Sequence, residues 1–153
     1  MAGFVNSSGN WVIEPSFTET GIFSEQISKY RSSLSWGLIG MDGRIISDPK
    51  WDEIKDFSSG IAVAKSNGQY YLLKKSGEPI NKSGFDQICR LNEGFFLVEK
   101  EGKRGLLDQA GNEILAAEYE NIQVEKPDFL IVSKGGMTGA LNQKGDVIFP
   151  VNY

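Results

Sequence analysis

A period of 34 residues runs through this chain without an insertion. Gly9, Gly43, Gly77, Gly111 and Gly145 mark it, and an aromatic series, Phe17, Trp51, Phe85, Tyr119 and Tyr153, keeps the same step. So do Val12, Ile46, Ile80, Ile114 and Ile148. Two adjacent apolar series follow: Phe4, Leu38, Leu72, Leu106 and Ala140 beside Val5, Ile39, Leu73, Leu107 and Leu141. Self-similarity at such a period marks a repeat architecture, in which each unit buries its apolar surface against its neighbours. No segment of helical length carries a 3.6-residue apolar period, and glycine recurs too often to permit one, so the expected fold is all-β.

Each unit reads as three short strands. Trp36 to Gly40 is apolar, and Met41-Asp42-Gly43-Arg44 supplies a turn, with glycine at the place where a type I turn and bulge need positive φ. The returning strand runs through Ile46 to Trp51, with Pro15 and Pro49 in one register, which suits an edge or a bulge. A third strand from about Gly60 to Lys65 turns at Asn67-Gly68 into the next unit. The chain is one domain, 1–153, with a hairpin at 3–17 and units beginning near 37, 71, 105 and 139. Its two ends are copies of the same hairpin, which gives about 4.5 units and favours an open curved array or an incomplete β-propeller-like ring.

The stretch Trp36-Gly37-Leu38-Ile39, then Asp42-Gly43-Arg44, Pro49-Lys50-Trp51-Asp52 and Phe57-Ser58-Ser59-Gly60-Ile61-Ala62-Val63, resembles the WG-repeat family of bacterial β proteins. Tyr70-Tyr71 and Arg104-Gly105 stand where Trp-Gly would be, while Thr138-Gly139 and Ala2-Gly3 keep only the glycine. The resemblance implies a β-rich binding or scaffolding module. It brings no shared set of catalytic residues.

Composition narrows the function classes. The chain has no histidine, which removes Ser-His-Asp and Cys-His nucleophilic sites and His-ligated zinc. Its one cysteine, Cys89, rules out an internal disulfide. The formal charge of −4 disfavours a phosphate backbone as partner, so no nucleic acid is expected. Apolar runs are far shorter than the roughly 20 residues of a membrane-spanning helix, so no membrane insertion is expected. No signal peptide is visible, which points to the cytoplasm. No D-x-D-x-D-G spacing suggests calcium, no metal or other cofactor is expected, and no carboxylate pair stands out for glycoside chemistry. The expected function is therefore not enzymatic.

Asp52, Asp86 and Glu120 share a register after the aromatic. An acidic row could dock a basic partner, but the simpler reading is a polar turn whose carboxylates accept local backbone N–H bonds. Tyr71, Phe96, Trp11 and Tyr30 break the repeat pattern and are candidate contact residues, Tyr71 as an outward-facing aromatic. Lys100, Lys103, Arg104, Lys126 and Lys134 read as a solvated basic face. The function expected is a non-catalytic protein–protein interaction module, in one version an immunity-type protein that neutralises a toxin domain by masking its basic site. The alternative is a carbohydrate or small-molecule binding module built on exposed aromatics.

Overall fold

The computed structural model describes residues 1–91, 94–126 and 128–152, and these form strands and turns without a helix. Tyr153, the last member of the aromatic series, lies outside the described residues. The chain forms two compact units, Met1–Ser83 and Gly84–Tyr153. Among the described residues the strands make five small antiparallel sheets, each from consecutive strands. In Met1–Ser83, sheet A pairs β1 (Ala2–Val5) with β2 (Trp11–Phe17). Sheet B runs β3 (Glu19–Thr20), β4 (Ile27–Ser32), β5 (Ser35–Gly40), β6 (Ile45–Trp51). Sheet C runs β7 (Glu53–Ile54), β8 (Ile61–Ser66), β9 (Gln69–Lys74).

In Gly84–Tyr153, sheet D runs β10 (Gln87–Arg90), β11 (Phe96–Lys100), β12 (Lys103–Leu107), β13 (Glu113–Tyr119). Sheet E runs β14 (Asn121–Lys126), β15 (Phe129–Lys134), β16 (Met137–Leu141), β17 (Val147–Phe149). The complete sheet therefore has four strands where three were expected. The added one is the segment carrying Ile54, Ile88 or Ile122, all buried, and in sheets B and C it is only two residues long. The sheets start just after the aromatic, so a sequence unit counted from Gly37 begins inside one sheet and ends inside the next.

In sheet B the third strand, β5, is apolar on both faces because both faces are covered. Leu38 is 1% exposed and joins the core cluster that holds Ile54, Ala62, Ala64 and Leu73 of sheet C. Its neighbour Ile39 points the other way. It is fully buried and packs with Ile13 of sheet A, Tyr30, and the partly buried Phe4, Phe17 and Phe23. The same division holds in the other unit, where Leu106 and Leu115 of sheet D meet Ile122, Leu130, Val132 and Leu141 of sheet E. Truncating one such buried leucine to alanine typically costs about 2–5 kcal/mol.

The five glycine turns have the geometry their sequence announces. In each, the glycine N–H donates to the carbonyl three residues back, as Gly43 does to Gly40 at 3.0 Å and Gly77 to Lys74 at 2.9 Å. The N–H of that first residue donates across to the strand beyond, as Lys74 does to Glu78 at 2.9 Å. Glycine φ values of 79° to 86° complete a type I turn with a bulge. Where the first turn residue is Asn6, Asp108 or Asn142, its side-chain oxygen also accepts two backbone N–H bonds inside the turn. Glycine serves a second purpose here, since the turn sits on the returning strand of the preceding sheet. A Cβ on Gly77 would lie 2.6 Å from Ser47 Cβ, and one on Gly43 would touch Ile13 at 3.4 Å. Gly9 has open space on that side.

The glycine of the Trp-Gly pair has a different cause. On Gly3, Gly37 and Gly105 a Cβ would lie 2.4, 2.5 and 2.7 Å from a carbonyl oxygen of the returning strand, which bulges over this position. Pro15 and Pro49 lie on these bulged strands, β2 and β6, at the edges of their sheets. Tyr71 replaces the glycine in sheet C, and there the returning strand shrinks to one bridge between Leu73 and Pro79. The Asn81 amide takes over the ladder, accepting from Leu72 N–H at 2.8 Å and donating to the Tyr70 carbonyl at 3.4 Å and the Ser83 carbonyl at 2.8 Å.

Two outcomes follow for urea unfolding. Gly9→Ala carries only the left-handed backbone strain and is expected to cost about 1–2 kcal/mol. Gly77→Ala adds the collision with Ser47 and is expected to cost about 1–3 kcal/mol more; equal losses would mean that the close approach contributes nothing. Burial opposes ionisation of Asp108, but the Asn112 side chain and the N–H groups of Asn112, Ala110 and Gly111 outweigh it and hold its carboxyl below the usual value of 3.8. Its stabilising contribution is thus present above that value and disappears as pH falls through the lower folded value. Asp108→Asn, the residue found at positions 6 and 142, should remain folded at pH 7 and flatten the loss of stability below pH 3.8.

Candidate interaction surface

The acidic register closes hairpins. Asp52 Oδ2 accepts the Asn67 N–H at 2.8 Å, and Asp86 Oδ2 accepts the Glu101 N–H at 2.7 Å. Glu120 Oε1 and Oε2 accept from Gly135 and Gly136 at 3.0 and 3.1 Å. Each carboxylate therefore caps the turn between the second and third strands of its own sheet, fifteen residues ahead, and not the local turn after the aromatic. The backbone supports it: Asp52, Asp86 and Glu120 each donate their N–H at 2.8 Å to the strand leading into that turn. The turn residues Asn67, Glu101 and Gly135 all have φ between 51° and 60°. These carboxylates are exposed, but their oxygens serve the fold.

Three of the four aromatics singled out in the sequence are packed. Phe96 is fully buried, with the Arg90 guanidinium 4.5 Å from its ring centre. Tyr30 is 4% exposed, because its ring occupies the space over Gly37 where a Cβ would come within 2.7 Å of it. It stacks at a tilt on Phe17, 4.6 Å between centres, and burial pushes its hydroxyl above its usual pKa. Tyr71 is half-buried, packs edge-on to Trp51 at 5.6 Å and belongs to the core between sheets B and C, so it is not an outward aromatic. Only Trp11 is exposed, at 52%.

Trp11 opens a row that sequence reasoning did not assemble. It begins β2, and the same register is held by Ile45 at the start of β6 and by Pro79, all three exposed. Successive sheets stack about 10 Å apart. The row thus spans roughly 20 Å across sheets A, B and C, with Val5 paired to Trp11 at one end and Met41 on the adjoining turn. Val5, Ile45 and Met41 are 53%, 47% and 57% exposed. The signal was available: the units differ in this register, Trp11, Ile45, Pro79, Glu113, Val147, beside one that hardly changes, Val12, Ile46, Ile80, Ile114, Ile148.

Three basic residues of Gly84–Tyr153 are tied to acids on the same surface, Lys134 to Glu118 at 3.0 Å, Arg104 to Glu99 at 3.8 Å and Lys103 to Glu120 at 3.9 Å. Lys100 lies in β11 and Lys126 in β14, and Cys89 is exposed on β10. Residues 84–153 hold 7 Lys and Arg against 11 Asp and Glu, while residues 1–83 hold 9 of each, so the net charge of −4 falls in the second part. A shallow hollow of about 500 Å³ is bordered by Glu125, Lys126, Asp128, Phe129 and Ile131, and one of about 400 Å³ by Glu25, Gln26, Ile27, Gly40, Met41, Asp42 and Lys75. Neither brings two aromatic rings together. Among the described residues no three His, Cys, Asp or Glu side chains are grouped to hold a metal ion.

The chain was compared with known proteins. No curated protein matches it. Among solved structures, Kluyveromyces lactis Hsv2 aligns at 11% identity and a TM-score of 0.46, covering 90% of this chain and 51% of that one. A structure of YCF48 bound to D1 peptide aligns at 14% identity and 0.41, covering 92% and 56%. The chain thus spans about half the length of these structures. A family model for the WG containing repeat matches residues 3–31, 36–70 and 105–137, which is more than half of the chain and includes three of its hairpins. By that match and by the period its sheets follow, the chain belongs to the WG containing repeat family.

Proposed function

We propose that this chain is a non-catalytic protein–protein interaction module that engages its partner through the apolar row of Met1–Ser83. One observation carries this reading: successive sheets present Trp11, Ile45 and Pro79 in one exposed register, with Val5 and Met41 beside them. Large apolar side chains gathered in one exposed row mark contact sites, and tryptophan is prominent among residues that dominate binding energy. A repeat array suits the task because residues in an outward register change without disturbing the core. The finer form of the proposal is a cytoplasmic, immunity-type protein that masks the basic site of a toxin domain, the acid excess of residues 84–153 favouring the encounter. A carbohydrate site would instead ask for stacked rings around a concave surface, and Trp11 is the only aromatic residue of the row.

The test is affinity capture from native lysate by wild type and by a Trp11→Ser, Ile45→Ser variant matched for circular dichroism and unfolding midpoint. One partner protein should be retained by wild type and bind the variant about thirtyfold or more weakly, as loss of a dominant contact residue entails. Equal binding by both proteins would remove the row from the interface. Glycan binding that depends on Trp11, with no protein retained, would replace the proposal by the carbohydrate reading.

A further inference from the structure

Asn67 is the only asparagine in the chain that precedes glycine. It sits at the tip of the β8–β9 hairpin, where φ values of 51° at Asn67 and 78° at Gly68 make a type I′ turn. Several other asparagine side chains are engaged. The oxygens of Asn6 and Asn142 each accept two backbone N–H bonds, that of Asn121 accepts from Arg104, and Asn81 stands in for a strand. Asn67 and Gly68 are both exposed, and a Cβ on Gly68 would meet nothing within 4 Å. Among the described residues, none hydrogen-bonds the Asn67 side chain.

We propose that Asn67-Gly68 is a site of spontaneous deamidation, with Asp52 setting its rate. The Gly68 backbone nitrogen attacks the Asn67 Cγ carbon, its proton leaves with the side-chain amide as ammonia, and a succinimide ring results. Water then opens the ring. Attack at Cγ yields aspartate, and attack at the main-chain carbonyl carbon yields isoaspartate; either way one ammonia is lost and one carboxylate gained. Glycine permits this, since it has no side chain to crowd the attacking nitrogen. The folded turn opposes it. The first central residue of a type I′ turn has ψ of about +30°, which turns the Gly68 nitrogen away from the Asn67 Cβ, so the ring closes only when the turn opens. Asp52 holds the turn shut, its Oδ2 accepting the Asn67 N–H at 2.8 Å and its own N–H donating to the Lys65 carbonyl at 2.8 Å. The two products differ in consequence. Aspartate at 67 matches Glu101, which holds the same turn position under Asp86 in sheet D, so the hairpin persists. Isoaspartate lengthens the main chain by one carbon inside a two-residue loop and disturbs the pairing of Ser66 with Gln69 and of Lys65 with Tyr70. β9 leans on that pairing: among the described residues its other side carries one bridge, Leu73 to Pro79, beside the bonds of Asn81 and Ile80. This inference is independent of the apolar row.

The experiment incubates the full chain at neutral pH and follows the tryptic peptide of residues 66–74 by mass spectrometry. That peptide should gain one mass unit before any other asparagine-containing peptide does, and isoaspartyl methyltransferase should label part of it. Opening of the turn sets the pace, so the chain in denaturing urea should react at least about tenfold faster than the folded chain. Asp52→Ala loses a charge-assisted bond and should raise the folded-state rate about tenfold. Asp52→Asn keeps the shape and a neutral acceptor, preserves the fold where alanine does not, and should raise the rate about threefold. No mass gain in the folded chain under conditions where the free peptide of residues 66–74 reacts, or earlier reaction at another asparagine, would overturn the proposal. Equal rates in the folded and urea-unfolded chains, or a rate unchanged in the folded Asp52 variants, would overturn it as well.

Discussion

A strand that is apolar on both faces obliges its sheet to be covered twice, and this constraint organises the molecule. Leu38 and Ile39 are adjacent and point in opposite directions, yet neither is exposed by more than 1%. Burying such a side chain contributes about 1.5–3 kcal/mol, and a single small sheet could collect that on one face only. Stacking collects it on both. The requirement explains why the core divides into layers, one between sheets A and B, one between B and C, and one between D and E. It also explains why identical registers differ in exposure. Phe149 holds the place of Ile13 and Leu115, which are buried at 9% and 6%, yet it is 57% exposed.

Close stacking sets the demand for small residues. The turn glycines are needed for positive φ everywhere, but only those resting on a preceding sheet are also pressed against it, Gly77 most closely. The glycine of the Trp-Gly pair answers to a different neighbour, the bulged strand of its own sheet. Tyr71 shows what happens when that glycine is replaced. The returning strand withdraws, one side-chain amide assumes the hydrogen bonds of a backbone, and the ring gained at position 71 fills the core against Trp51. The hairpin keeps its turn and one bridge only, and the layer is kept. Packing between sheets outranks completeness of any one sheet here.

The period, the turn type, the edge position of the prolines and the burial of both faces were legible in the sequence, because each rests on a local rule about spacing or φ. The fourth strand was not. Glu53-Ile54 is two residues long, too short for any alternation to show, and it exists because Asp52 is already anchored to Lys65 by its backbone and to Asn67 by its carboxylate. That bond joins residues fifteen apart, which local turn chemistry does not reveal. The aromatics were misread for a related reason. Tyr30, Tyr71 and Phe96 depart from the repeat pattern, and departure was taken as a sign of contact with a partner. In the structure it signals compensation: a ring over Gly37, a ring in place of a glycine, a phenylalanine buried where other units place Ser28 and Ala62.

Irregularity in a repeat therefore has two meanings, and register separates them. A substitution at an inward register has to be absorbed by the same layer, so it reports on packing. At an outward register nothing compels compensation, and variation there is available to a partner. Trp11, Ile45 and Pro79 are of the second kind, since all three are exposed and the same position holds Glu113 in another sheet. The acidic register illustrates the opposite case, for its three carboxylates are exposed and yet committed to turns. Exposure alone does not identify a binding residue in this fold. What identifies one is an outward side chain whose polar or apolar character the stack itself does not require, and by that measure the surface of Met1–Ser83 is set by its apolar row while residues 84–153 contribute charge.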